Sequence, residues 1–128
     1  MPFINTKYSQ DITPAQEEQI KSALGEAVKI IGKTESWLMV GFEPNTSLYF
    51  RGEKPEKTVF VEVSLYGTAN PADCDRMTAE ICRIYGEVLG VPAVNMYVKY
   101  SPTDQWGWNG GNFFVANSYL EGTYSEVY

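Results

Sequence analysis

The sequence predicts an α+β fold in which one β-α-β unit is used twice. Two amphipathic segments carry the start and stop signals of helices, and segments rich in β-branched and aromatic residues flank both of them. The landmarks of the two helices repeat, because Pro71 follows Pro14 by 57 positions and Gly90 follows Gly32 by 58. Right-handed crossovers would place both helices on one face of a four-stranded mixed sheet.

The first unit begins with a strand over residues 2–8 and continues into a helix. Thr13 can cap this helix, Pro14 suits its first position, and Gln16 can complete a capping box. Gly32 marks the end of the helix. Its apolar residues recur at helical spacing and are Ile20, Leu24, Ala27, Val28 and Ile31.

The middle of the chain is predicted to hold two strands separated by a loop. Residues 36–42 form the first of them, and residues 43–56, rich in Pro, Gly and Asn, form the loop or a short hairpin. Residues 58–66 have the strongest β-propensity of the chain. They are apolar enough for a central strand that is covered on both faces for part of its length.

The second helix repeats the signals of the first. Asn70 can cap it and Pro71 takes the first position. The negative charge of Asp73 interacts favourably with the N-terminal end of the helix dipole. Gly90 ends it, and residues 94–100 form the last predicted strand. The apolar stripe of this helix consists of Met77, Ile81, Ile84 and Val88.

With both helices on one face, the other face of the predicted sheet is bare. We expect apolar residues there and further copies of the chain covering them in a closed homo-oligomer. The alternative is a monomer with an amphipathic open sheet.

Composition indicates one globular domain and excludes several classes of partner. The chain has 128 residues and a net charge of −6, which disfavours binding to nucleic acid or to an anionic membrane. The sequence contains neither an apolar run of about 18 residues nor a secretory signal. We therefore expect a cytoplasmic protein, with leaderless secretion as the alternative.

The cysteine content and the absence of histidine argue against a metal site or a metal cofactor. Cys74 and Cys82 lie eight positions apart in one predicted helix, about 12 Å along its axis, which is too far for a disulfide. The sequence contains no histidine and no Cys-x-x-Cys, so a zinc or iron–sulfur site lacks ligands. Any proton transfer near neutral pH must use another group.

Pro2 offers such a group. Removal of the initiator Met1 before a small residue would make Pro2 the N-terminus, with a secondary amine as its nitrogen. An α-amino group has a pKa near ~8, and an apolar site or a nearby cation lowers it toward the value that a general base needs. The alternative is that Pro2 only starts a strand, where its missing N–H costs nothing.

Several segments, taken in order along the chain, resemble one family. They are Met-Pro-Phe-Ile-Asn-Thr at the start, Gly32-Lys33, Ser64-Leu65-Tyr66-Gly67, Met96-Tyr97-Val98-Lys99-Tyr100, and Trp106-Gly107-Trp108-Asn109 followed by Phe113. Together they are similar to macrophage migration inhibitory factor and its relatives in the tautomerase superfamily. The resemblance spans residues 1–114, and residues 115–128 form a C-terminal extension of unknown role.

The resemblance implies a homotrimer with active sites at subunit interfaces and a cofactor-independent keto–enol tautomerase activity toward arylpyruvates such as phenylpyruvate. It makes Pro2 the catalytic base and Lys33 the cation that holds the substrate carboxylate. A backbone N–H near Tyr66 would be a further donor, and Tyr97, from a neighbouring subunit, and Trp108 would form the walls of the aromatic pocket. The residues implied in substrate binding are Lys33, Ser64, Tyr66, Tyr97, Lys99, Trp108 and Phe114.

Other functions stay open at this point. One is a cytokine-like binding or signalling trimer, with a receptor as partner and a vestigial or secondary tautomerase activity. Proline-dependent decarboxylation or dehalogenation is disfavoured, because relatives of those kinds usually present arginines. Arg51, Arg76 and Arg83 match no pocket position.

The sequence departs from the family pattern at several positions. Tyr66 replaces a branched aliphatic residue, Lys99 replaces an amide, and the Cys-x-x-Cys of mammalian members is absent near residues 60–63. Tyr97 and Lys99 share one side of a strand. A second cation in the pocket would favour more acidic or bulkier α-keto acids, and the alternative is that Lys99 extends into solvent.

Overall fold

A computed structural model describes residues 1–113. The chain forms two long helices and six strands within this range, joined by short 3₁₀ turns. In order they are β1 (Pro2–Tyr8), α1 (Pro14–Ala27), β2 (Met39–Glu43), β3 (Val59–Tyr66), α2 (Pro71–Leu89), β4 (Met96–Thr103), β5 (Trp106–Trp108) and β6 (Gly111–Phe113).

The main sheet has the strand order β2-β1-β3-β4. Strands β1 and β2 are parallel, β1 and β3 antiparallel, and β3 and β4 parallel, so the sheet is mixed. Both helices pack on the same core as this sheet, which confirms the predicted two-layer α+β fold. Strands β5 and β6 form a separate hairpin after β4.

The predicted helix ends are observed in atomic detail. The Thr13 hydroxyl accepts the N–H of Gln16 at 3.2 Å, and the Gln16 side chain accepts the N–H of Thr13 at 3.0 Å. The Asn70 side chain accepts two N–H groups of the first turn of α2. Gly32 and Gly90 both adopt φ 73°, the left-handed conformation that ends each helical segment.

Two predicted strands begin later than expected. A 3₁₀ turn at Glu35–Trp37 takes up the start of predicted strand 36–42, and another at Ala93–Asn95 takes up the start of predicted strand 94–100. Each turn brings the chain from the end of a helix back to the sheet. Helix α1 likewise tightens into a 3₁₀ turn at Val28–Ile31 before Gly32.

The core lies between the helices and the inner sheet face, where alternate residues of β1 and β3 are buried. Its polar groups are paired: the hydroxyls of Thr6 and Tyr85 lie 2.8 Å apart, and the Tyr8 hydroxyl donates to Tyr85 at 3.2 Å.

The outer sheet face carries exposed apolar residues, as expected, and charged residues are mixed with them. Exposed Tyr97 and Met39 alternate there with charged residues, and Lys7 forms an ion pair with Glu43 at 3.1 Å.

Candidate active site

The candidate site lies at the end of the sheet where β1 begins and β3 ends. Pro2 stands opposite Leu65 in the antiparallel pair. One residue further, the N–H of Tyr66 donates to the carbonyl oxygen of Met1 at 3.2 Å. Met1 is only 3% exposed, so the beginning of the chain is enclosed by protein.

Lys33 contacts the same residue, Tyr66, at its carbonyl. The position of Lys33 follows from the left-handed Gly32, which turns the chain back at the end of the first helical segment. The Lys33 side chain is buried, and its ammonium donates to the carbonyl oxygen of Tyr66 at 2.9 Å. Tyr66 thus connects the chain start, through its N–H, to the buried cation, through its carbonyl.

The electrostatics around the start of the chain favour a neutral amine. Burial, and secondly the positive charge of Lys33, lower the pKa of the Met1 amino group from 8.0 to about 5. Burial also lowers the pKa of Lys33 itself. An amino group held here is therefore unprotonated at neutral pH and able to act as a base.

A cavity of about 530 Å³ opens beside Pro2. The rings of Trp37 and Trp108 form one of its walls, edge to face with centroids 4.9 Å apart. Trp108 remains 48% exposed. The full lining consists of Met1, Pro2, Phe3, Ser36, Trp37, Leu38, Met39, Trp106, Gly107 and Trp108.

Sequence reasoning missed part of this wall, namely Trp37, Leu38, Met39 and Trp106. Trp106 could have been found, because it lies two positions before Trp108 and shares its side of a strand. Trp37 could not, because residues 36–42 were interpreted as one regular strand and the 3₁₀ turn that aims Trp37 at the cavity carried no signal of its own.

The structure brings together four of the predicted site residues: Pro2, Lys33, Tyr66 and Trp108. Pro2 and Trp108 line one cavity, while Lys33 and Tyr66 surround the chain start. The buried ring of Tyr66 packs on Phe113, with centroids 5.1 Å apart. The β5–β6 hairpin thereby closes this end of the sheet.

Tyr97 and Lys99 lie farther along the sheet, whereas Ser64 stands beside the cavity-lining residue Phe3. Tyr97 stands opposite Phe60, five positions from Leu65 along β3, or about 16 Å. Lys99 stands opposite Glu62, and Ser64 stands opposite Phe3 on the outer face. Their roles in substrate binding stay predictions, and Phe114 lies outside the described residues.

Residues 1–113 contain no group of three or more Cys, Asp or Glu side chains that could hold a metal ion. None of the helices in this range is both long and apolar enough to cross a membrane.

Three comparisons relate the chain to known proteins. A comparison with protein families matches residues 1–114 to macrophage migration inhibitory factor (MIF). A search of the curated proteins found no significant match. Solved structures do match.

MIF2 from Leishmania major has a TM-score of 0.83 and 31% identity, covering 88% of this chain and 97% of that one. MIF from Toxoplasma gondii has a TM-score of 0.80 and 20% identity, covering 87% and 99%. A structure described as a "Q0 fused 4-OT wild type symmetric trimer" has a TM-score of 0.75 and 19% identity, covering 86% and 94%. Fold and family match agree, and the chain belongs to the macrophage migration inhibitory factor family.

Proposed function

We propose that the chain, once Met1 is removed, is a cofactor-independent keto–enol tautomerase for phenylpyruvate-like α-keto acids, with the Pro2 nitrogen as general base. One observation carries the proposal: an amine buried at the chain start, beside Lys33, has its pKa lowered to about 5. Burial in this part of the structure and the charge of Lys33 would act in the same direction on the amine of Pro2. Such a base is unprotonated at neutral pH.

Removal of Met1 would also supply a place for the substrate. The carbonyl of Met1 now accepts the N–H of Tyr66, and its side chain helps to line the cavity. Without that residue, this N–H becomes a donor for a substrate oxygen, next to the ammonium of Lys33. Trp37 and Trp108 offer an apolar wall for an aromatic ring.

The reaction then needs no cofactor. In the enolising direction the Pro2 nitrogen takes a proton from the carbon next to the ketone and passes it to the carbonyl oxygen, which completes the enol. Ketonisation is the reverse: the neutral Pro2 nitrogen takes the proton of the enol hydroxyl and returns it to carbon, so the amine is neutral before and after either reaction. Lys33 and the Tyr66 N–H hold the oxygens, so the reacting carbon is fixed near the base.

The proposal includes a homotrimer with the site at the subunit interface. Within one subunit Tyr97 cannot reach Pro2, yet Tyr97 is 59% exposed on the outer face of an edge strand. A neighbouring copy could therefore receive its ring. The symmetric trimer among the structural relatives has this fold and supports the assembly.

The test is the ketonisation of phenylpyruvate enol by protein whose N-terminus has been verified by intact-mass spectrometry. Changing Pro2→Gly should lower kcat by roughly 10²-fold, because glycine offers a primary amine of altered pKa and geometry. Protein that retains Met1 is the matched control and should be equally poor, since its Pro2 nitrogen is an amide and Met1 occupies both the Tyr66 N–H and part of the cavity.

Unchanged turnover in both variants would overturn the proposal. The competing hypothesis, a cytokine-like binding or signalling trimer, predicts that receptor binding through the outer surface survives Pro2→Gly.

A further inference from the structure

The loop between β2 and β3 carries an arginine in an unusual backbone position. Phe50 and Glu53 exchange two backbone hydrogen bonds, of 2.7 and 3.1 Å. Between them Arg51 and Gly52 have φ 56° and 79°, the signs of a type I′ turn. This turn favours Asn, Asp or Gly where Arg51 stands, and such outliers concentrate at functional sites.

Two neutral groups hold the Arg51 side chain in place. Its guanidinium lies 4.8 Å from the centroid of the Phe50 ring, and Nη2 donates to the Asn95 side-chain oxygen at 2.9 Å. The amide nitrogen of Asn95 donates to the carbonyl of Lys57 at 3.1 Å, which orients its oxygen toward the arginine. Among residues 1–113, no carboxylate forms an ion pair with Arg51. The charge is thus positioned without being neutralised.

The same cluster contains Tyr97. Its ring packs edge-on against Phe50, with centroids 5.0 Å apart, and Asn95 precedes it by two positions. A surface that receives Tyr97 therefore also meets the guanidinium of Arg51.

We propose that Arg51 is a specificity-determining residue of the tautomerase site in the adjacent subunit, where it binds a second anionic group at the far end of an aromatic α-keto acid. The inference rests on the proposed function, in which Tyr97 closes the neighbouring cleft. Lys33 would hold the keto-acid end at the floor of that cleft. The guanidinium of Arg51, at the open end of the cleft, suits a carboxylate because its planar group can donate two parallel hydrogen bonds.

Lys99 is the other cation near Tyr97, and its surroundings make it the weaker candidate. Lys99 stands directly beside Glu62 on the adjacent strand, so an opposite charge of its own subunit is a cross-strand neighbour, although the two form no ion pair among residues 1–113. The contacts of Arg51 are an amide oxygen and an aromatic ring.

The experiment compares kcat/KM for phenylpyruvate and for its para-carboxylated analogue. The Arg51→Asn variant removes the charge and keeps the turn, since Asn tolerates positive φ. We expect the preference for the carboxylated substrate to fall roughly tenfold or more, the size of a charged hydrogen bond. Arg51→Lys should restore part of it. Lys54→Gln removes a charge from the same loop and should leave the preference unchanged.

An unchanged preference in Arg51→Asn, or an equal change in Lys54→Gln, overturns the inference. So does a change in Lys99→Gln that Arg51→Asn fails to reproduce. These failures are distinct from that of the proposed function. If Pro2→Gly leaves phenylpyruvate turnover intact, the proposed function falls and the inference with it. If turnover depends on Pro2 and the preference does not move, the inference alone falls.

Discussion

At the scale of single residues, the lowered pKa of the amine at the chain start has two separate physical causes. Burial is the larger cause of the lowered amine pKa and Lys33 the smaller, so each can be removed independently. The base works only when unprotonated, so kcat/KM should be constant above its pKa and fall as pH drops below it. The charge of Lys33 therefore extends activity toward acidic pH.

Replacing Lys33→Gln should move the acidic limb of the kcat/KM profile to higher pH. Loss of the cation removes one of the two causes that lower the amine pKa at the chain start, while burial, the larger cause, remains. Glutamine retains a donor for the Tyr66 carbonyl. The exposed Lys29, ion-paired with Glu26, supplies the control Lys29→Gln. If the acidic limb of the pH profile stays in place and only KM rises, Lys33 acts in substrate binding alone.

The Trp37–Trp108 pair makes a second prediction at this scale. An edge-to-face pair contributes about 0.5 to 1.5 kcal/mol beyond the area it buries. The Trp37→Ala variant leaves Trp108 without that support, so kcat/KM for phenylpyruvate should fall several-fold more than for pyruvate. Trp37→Phe should retain most of the preference. An equal loss for both substrates would show that the tryptophans do not recognise the ring.

At the scale of elements, the internal repeat supplies a matched experiment on the two helix ends. Gly32 and Gly90 have the same φ, 73°, and an added Cβ meets no atom within 4 Å at Gly32 and only the flexible end of Lys57 at Gly90. Each change to alanine should cost about 1 to 2 kcal/mol of unfolding free energy, because a side chain strains the left-handed conformation.

Only Gly32→Ala should also lower turnover, since Lys33 follows Gly32 directly and leaves the turn toward Tyr66. Urea unfolding and phenylpyruvate kinetics of both variants provide the measurements. Similar kinetics for the two variants would contradict the view that this turn positions Lys33.

The same elements show what sequence could predict. Caps and end glycines are local signals, and Thr13, Asn70, Gly32 and Gly90 were all placed correctly because each satisfies backbone groups of its own helix. The 3₁₀ turns at Glu35–Trp37 and Ala93–Asn95 were not predicted because each lies next to a strand and carries one residue of high β-propensity, Trp37 or Val94, which made it resemble the start of that strand. The contribution of Trp37 to the cavity depended on one such turn.

At the scale of the whole molecule, the candidate site residues lie at two different ends of the sheet. Pro2 and Trp108 lie at one end, and Tyr97 lies about 16 Å along β3 from the level of Pro2. Sequence resemblance alone implied that the two ends meet across subunits, because no local pattern encodes a contact between copies. The described geometry supports the idea by excluding a contact within one chain.

Mixed assemblies should therefore regain activity that neither parent has. A subunit with Pro2→Gly keeps Tyr97, and a subunit with Tyr97→Ala keeps Pro2. In randomly mixed trimers about one site in four pairs an intact Pro2 with an intact Tyr97 from the neighbour, because each site draws on two adjacent subunits of a cyclic assembly. Co-refolded proteins at equal concentration should show that fraction of wild-type turnover by phenylpyruvate ketonisation, above either variant alone. Mixtures that give only the mean of the two parents would mean that each site is built from a single chain.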